Sequence, residues 1–147
     1  MNIKNTILFV SMLSSAVLIS ACSKTAVKSS LEFQKELLAG TGTFSNTQYT
    51  WQLDSCYIDG THFPLTTVQK SYKKTFTYDG RYSDSDLNVG KWEIETLNKL
   101  KQTIIYQPSN ARDSSVYDII SINAGRLNLK VKLSNGQLGT YSFKKSN

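Results

Sequence analysis

From Tyr49 onward the chain alternates apolar and polar residues with a period of two, and no other feature restricts its folding as much. Tyr49, Trp51, Leu53 and Tyr57 alternate with Thr50, Gln52, Asp54 and Cys56. Tyr72, Phe76 and Tyr78 alternate with Lys73, Thr75, Thr77 and Asp79, and Trp92 and Ile94 with Lys91, Glu93 and Glu95. Leu100, Ile104 and Tyr106 share a face opposite Lys99, Lys101 and Thr103. Leu127, Leu129, Val131 and Leu133, then Tyr141 and Phe143, repeat the pattern against Asn128, Lys130, Lys132, Thr140, Ser142 and Lys144. Such alternation describes strands with one wet and one dry face. Asp59-Gly60, Asp79-Gly80 and Asn135-Gly136 suit tight turns, and Asn88-Val89-Gly90 and Asn123-Ala124-Gly125 suit longer hairpin connections. Short segments joined this way make an antiparallel meander, with no alternation of helices and strands. The expected fold is all-β, a small antiparallel up-and-down barrel of about eight strands, enough to close and remove exposed edges. Around residues 115–122 the alternation breaks, and a bulge there lets Tyr117, Ile119 and Ile122 all point inward.

The N-terminus reads as an address. Lys4 is the only charged residue before Cys22, and it precedes the apolar runs Ile7–Val10, Met12-Leu13 and Ala16–Ile19. A short positive region, an apolar core and small residues at the end describe a secretory signal peptide over residues 1–21. Ile19-Ser20-Ala21-Cys22 resembles the lipobox of bacterial lipoproteins, whose Cys becomes lipidated, as with palmitate. An ordinary signal peptide with a chance Cys is the competing reading, and a Cys22–Cys56 disulfide the competing structure. Lipidation of Cys22 holds the product on a membrane without spanning it, and leaves Cys56, among Leu53, Tyr57 and Ile58, as a small buried hydrophobe. Residues 22–30 make a polar tether and 31–147 the domain. Ser29 and Glu32 have capping-box spacing, Phe33, Leu37 and Leu38 share a helical face and Gly40 can end it, so the spacing predicts one short N-terminal helix over 30–39.

Three strings carry a family resemblance: Trp51-Gln52-Leu53 with Ile58-Asp59-Gly60, then Lys74-Thr75-Phe76-Thr77-Tyr78-Asp79-Gly80-Arg81-Tyr82-Ser83-Asp84, then Gly90-Lys91-Trp92-Glu93-Ile94. With Tyr117-Asp118-Ile119 and Leu127-Asn128-Leu129 they resemble the lipocalin-like lipoproteins common in Bacteroidetes, over about residues 35–145. These motifs are turn glycines and inward aromatics, so the resemblance implies a lipocalin-like barrel and says little of chemistry. Lipocalins open their first strand with Gly-x-Trp, the Trp closing one end. Here Gly40-Thr41-Gly42-Thr43-Phe44 stands several residues before Trp51, so the opening is altered or extended.

Catalysis and metal binding find little support. The 147 residues hold two Cys and one His, too few for a Cys/His metal site. His62 stands beside Phe63-Pro64 in an expected loop, and Glu93 and Glu95 fall on the wet face. Asp84-Ser85-Asp86-Leu87-Asn88 has the look of a calcium loop, but Val89 stands where its sharp-turn Gly belongs. The formal charge of +6 does not point to nucleic acid, because Lys73, Lys91, Lys99, Lys101, Lys130, Lys132 and Lys144 are each the outward partner of an inward apolar residue. Solvation or attraction to anionic headgroups explains them. What remains is an aromatic interior, with Trp51, Tyr72, Phe76, Tyr78, Trp92, Tyr106, Tyr117 and Tyr141 as candidate ligand-binding residues. An eight-stranded barrel can be filled by side chains or hold one small ligand. The expectation is a monomeric, membrane-anchored envelope lipoprotein binding a small hydrophobic or amphiphilic ligand, with no cofactor, metal or enzymatic activity. The alternative is a protein–protein module acting through loops 59–70 or 107–115. Ser23-Lys24 lacks the acidic run that resembles surface-export signals, which favours the periplasmic face of the outer membrane.

Overall fold

Nine strands form one antiparallel sheet that returns to its own first strand, in a computed structural model that describes residues 29–42, 47–107 and 109–146. The expected signal peptide, Cys22 and the tether as far as Lys28 lie outside the described residues. The strands are β1 (Gln48–Ile58), β2 (Thr61–Phe63), β3 (Lys73–Thr77), β4 (Arg81–Asp84), β5 (Val89–Thr96), β6 (Lys99–Ile105), β7 (Arg112–Ile122), β8 (Arg126–Lys132) and β9 (Leu138–Ser146). Two helices accompany them, α1 (Ser30–Ala39) and α2 (Thr67–Ser71).

Closure depends on the length of β1. Along one edge it pairs with β9 from Thr50 to Ile58. Along the other, Gln48–Gln52 pair with β3 and Cys56–Ile58 with β2. β1 and β3 to β9 therefore close an eight-stranded barrel, and β2 is an added ninth strand at one rim. The meander places α1 and the turns at Asp79-Gly80, Leu97-Asn98 and Asn123–Gly125 at one end. The segments 59–72, 85–88, 106–107, 109–111 and 133–137 gather at the other.

Several local expectations need correction. Val89 and Gly90 belong to β5, so the β4–β5 connection is Ser85–Asn88. A Cβ on Gly90 would collide with the Thr103 carbonyl oxygen, so glycine permits the close approach of β5 to β6. A bulge between Leu53 and Ser55 shifts the register against β9 and reverses the parity of β1 beyond it. Cys56 is therefore buried, and Tyr57 turns out to an edge-on contact with His62, ring centroids 5.3 Å apart. His62 itself sits exposed in β2, not in a loop. The bulge expected near residues 115–122 falls between Ile119 and Ser121. It puts Tyr117, Ile119 and Ile122 against the core and Ile120 outside.

α1 seals its end of the barrel. Ser29 Oγ accepts from the Glu32 backbone N–H, while the Glu32 carboxylate, instead of completing a capping box, receives the Tyr78 hydroxyl. Gly40, at φ +96°, ends the helix. Leu38 and Ala39 are fully buried over the barrel end, and Trp51 Nε1 donates 2.8 Å to the Leu38 carbonyl. Gln34 exchanges hydrogen bonds with Asn98 in the β5–β6 turn, its Nε2 donating to Asn98 Oδ1 and its Oε1 accepting from Asn98 N. Beneath the helix, Phe76 packs edge-on against Trp92 and tilted against Tyr82, with centroids 5.7 and 5.6 Å apart.

Truncating Phe76 to Ala should cost about 3–5 kcal/mol in urea unfolding. Trp51→Phe, which strands the Leu38 carbonyl, should cost about 1–3 kcal/mol. Native-like stability of Trp51→Phe would mean that the indole bond does not hold α1 in place.

Candidate functional site

The end opposite α1 is open. Inside it lies a cavity of about 380 Å³ lined by Leu53, Tyr72, Lys74, Tyr117, Val131 and Tyr141, with Asp113, Ser115 and Lys132 also on its wall. A smaller hollow of about 190 Å³ shares Leu53 and Tyr141 and reaches Cys56 and Ile58 beside Leu65 and Gln69. A larger concavity, about 790 Å³, is elsewhere, against Arg81, Ser83, Val89, Lys91, Thr103 and Ile105. Strand parity puts those side chains on the outer wall. Among its lining residues no buried charged side chain faces it as Lys74 faces the barrel cavity, which is the better candidate.

The inward positions of β3, β4 and β6 bring a polar cluster into the interior. Lys74 is two residues before Phe76 on β3, Asp84 two after Tyr82 on β4, and Gln102 between Leu100 and Ile104 on β6. Lys74 is 6% exposed. Its Nζ donates to Gln102 Oε1 at 3.1 Å and lies 5.0 and 5.5 Å from the ring centroids of Tyr117 and Tyr82. Aromatic faces and one amide oxygen thus replace most of its water shell. Burial pulls the ammonium down to about 8 from 10.5, against the upward pull of the Asp84 carboxylate.

Asp84 is the cross-strand register partner of Lys74, yet it makes no ion pair with it within 4.0 Å. Its carboxylate is already occupied. Oδ2 accepts from Tyr82 OH at 2.8 Å, Tyr72 OH at 3.1 Å and Asn88 Nδ2 at 3.3 Å, and Oδ1 from the backbone N–H groups of Asp86 and Asn88. Desolvation raises the Tyr72 and Tyr82 hydroxyls far above the ordinary tyrosine range and brings Tyr117 to about 12. Burial also raises Tyr141 and the Cys56 thiol. Gln102 is fully buried, and its Nε2 has no hydrogen-bond partner among the described residues.

The eight aromatic residues singled out from the sequence separate into distinct places. Tyr72, Tyr117 and Tyr141 line the cavity. Trp51, Phe76 and Trp92 belong to the packed core. Tyr78 is at the closed end, below Lys35, whose Nζ lies 4.2 Å from the ring centroid. Tyr106 is not interior. It is 38% exposed at the rim, its hydroxyl 3.5 Å from Asp113 Oδ2, because the inward run of β6 ends at Ile104 and the chain turns away after Ile105. Sequence reasoning missed Lys74, Gln102, Asp84 and Tyr82. Lys74 and Gln102 occupy inward positions of the period-two pattern, and a polar residue in phase with apolar neighbours was the signal available.

Among the described residues no group of three His, Cys, Asp or Glu is placed to hold a metal ion, and no helix is long and apolar enough to cross a membrane. No known protein family, curated protein or solved structure matches the chain.

The depressed Lys74 value has a measurable consequence. Between about 8 and 10.5 the unfolded chain holds a proton on this lysine that the folded chain releases, so the Lys74 contribution to stability rises with pH across that window. The raised Cys56 thiol and the raised Tyr72, Tyr82, Tyr117 and Tyr141 hydroxyls act in the opposite direction, because there the folded chain keeps protons that the unfolded chain loses. The stability difference between wild type and Lys74→Met, from urea unfolding, should therefore move in favour of the wild type by about 2 kcal/mol from about pH 8 to about pH 10. A difference that does not change with pH would contradict the depressed lysine.

Proposed function

We propose that this protein is a lipocalin-like envelope lipoprotein that binds one small hydrophobic or amphiphilic molecule at the mouth of its barrel. The difference between the two ends carries this reading. One is sealed by α1 over Trp51, and the other leaves a cavity of about 380 Å³ inside a closed wall. That volume falls within the range of small-molecule sites, about 300–1,000 Å³. Tyr72, Tyr117 and Tyr141 offer apolar ring faces with hydroxyl tips, as a ligand with both apolar and polar parts requires.

The reading is of binding and not of catalysis. His62, the single histidine, lies exposed on β2 against the outward Tyr57. A lipid on Cys22 would tether a monomer to the membrane, and Ser23-Lys24, which lacks the acidic run that resembles surface-export signals, favours the periplasmic face of the outer membrane. The runner-up, a protein-binding surface, is favoured by Val68 and Leu87, which are 79% and 77% exposed on segments at the open end.

Titration with N-phenylnaphthylamine, a neutral fluorescent probe, should give saturable one-to-one binding. Val131→Arg, on the cavity wall, should weaken it roughly tenfold while the urea midpoint stays within about 0.5 kcal/mol of wild type. Probe binding that ignores Val131→Arg, or none at all, contradicts the proposal. A specific partner crosslinked through Val68 or Leu87, with an empty barrel, would transfer the function to the rim.

A further inference from the structure

We propose that the concavity on the outer wall is a second binding site, for a phosphomonoester carried on a larger organic body. The phosphate is held between Lys91 and Arg112, and the body lies over Val89 towards Ser83. The site is separate from the mouth of the barrel and does not depend on what the mouth holds. Its surface comes from outward positions of β4 to β7. Arg81 stands opposite Lys91 and Ser83 opposite Val89; Lys91 then meets Thr103, Val89 meets Ile105, and Ile105 meets Arg112. Lys91 and Arg112 therefore flank Thr103 and Ile105. Strand spacing and rise put their backbones about 12 Å apart, a gap that two long side chains converging on one anion can close.

The charges here run against the pattern of the neighbouring wall. There Lys99 faces Asp118 and Lys101 faces Glu93, and both cross-strand pairs close ion bridges. Arg81 and Lys91, by contrast, are direct register partners, and like charges placed so are destabilising. No carboxylate lines the concavity. Asp79 and Glu93, in an adjoining hollow, are engaged by Arg81 and Lys101. The Lys91 and Arg112 side chains make no ion pair or hydrogen bond among the described residues, nor does the Thr103 hydroxyl between them. What the recess lacks is an acceptor, and a recess lined by one sign of charge concentrates the opposite ion. A carboxylate or a sulfate ester would meet one of the two uncompensated charges. A phosphomonoester carries about two negative charges at neutral pH and three acceptor oxygens. The Arg112 guanidinium can take two of those oxygens at once. The volume, about 790 Å³, exceeds what a phosphate fills. Beside the cations the surface is Val89, 43% exposed, with the Ser83 hydroxyl beyond it, which suits a body with apolar and hydroxyl faces.

Calorimetric titration of the full-length protein in neutral detergent at low salt tests the site. Glucose 6-phosphate should bind one-to-one and roughly tenfold more tightly than glucose 6-sulfate, which keeps the body but loses a charge. It should also exceed inorganic phosphate, which keeps the charge but loses the body, by roughly tenfold. Lys91→Gln and Arg112→Gln should each weaken it roughly tenfold, while Lys130→Gln, the same charge change on β8 across the barrel, should alter it less than about twofold. Both groove variants are at exposed positions and should keep the urea midpoint of the wild type, so that lost binding is not lost folding. Phosphatidate in the micelles that displaces glucose 6-phosphate at a lower concentration than glycerol 3-phosphate supports a lipid headgroup as the source. The reverse order supports a soluble ester. No saturable binding, equal affinity for the sulfate ester or for inorganic phosphate, or a loss in Lys130→Gln as large as in the groove variants overturns the proposal.

Discussion

β1 is hydrogen-bonded along both edges, and the rest of the molecule depends on that. Its eleven residues meet β9 on one side and β3 and β2 on the other, which turns a meander into a closed wall. Closure means that an inward side chain must pack, find a partner or face one of the two ends. The bulge at Leu53–Ser55 belongs to the same constraint. It bends β1 around the barrel and brings Cys56, not Tyr57, inside.

With the wall closed, the two ends decide what the barrel can do. At one, the Trp51 indole and the Gln34–Asn98 pair fasten α1 across the opening. At the other, Lys74, Asp84, Gln102 and three tyrosines share the interior, and a cavity of about 380 Å³ remains beside them. Holding Lys74 there is expensive. The displacement from 10.5 to about 8 corresponds to on the order of 3 kcal/mol against folding at neutral pH. An aliphatic residue at this position would avoid that cost.

Much of this was readable from local rules. The strands, the Asp79-Gly80 and Asn135-Gly136 turns and the helix over 30–39 depend on neighbours within a few residues, and period and turn chemistry report those directly. Parity beyond a bulge depends on the partner strand, so Tyr57 was assigned to the wrong face. β2 exists only because β1 is long enough to pair it beyond β3. α2 carried a legible signal, since Thr66 and Gln69 form a complete capping box, but five residues give too little periodicity to stand out. The polar cluster was obscured by residue type: Lys74 and Gln102 stand in phase with Phe76, Leu100 and Ile104, and surface lysines elsewhere made an inward one easy to pass over. Of the aromatic candidates, Tyr72, Tyr117 and Tyr141 reach the cavity, because which inward residues fill the core and which face the mouth depends on where the ends are sealed.

Native mass spectrometry of the protein purified from its native host tests most directly whether the open mouth is the proposed ligand site. A ligand there requires a reproducible mass excess of small-molecule size beyond the covalent mass, released on denaturation. A bare mass that persists after incubation with envelope lipids would contradict it.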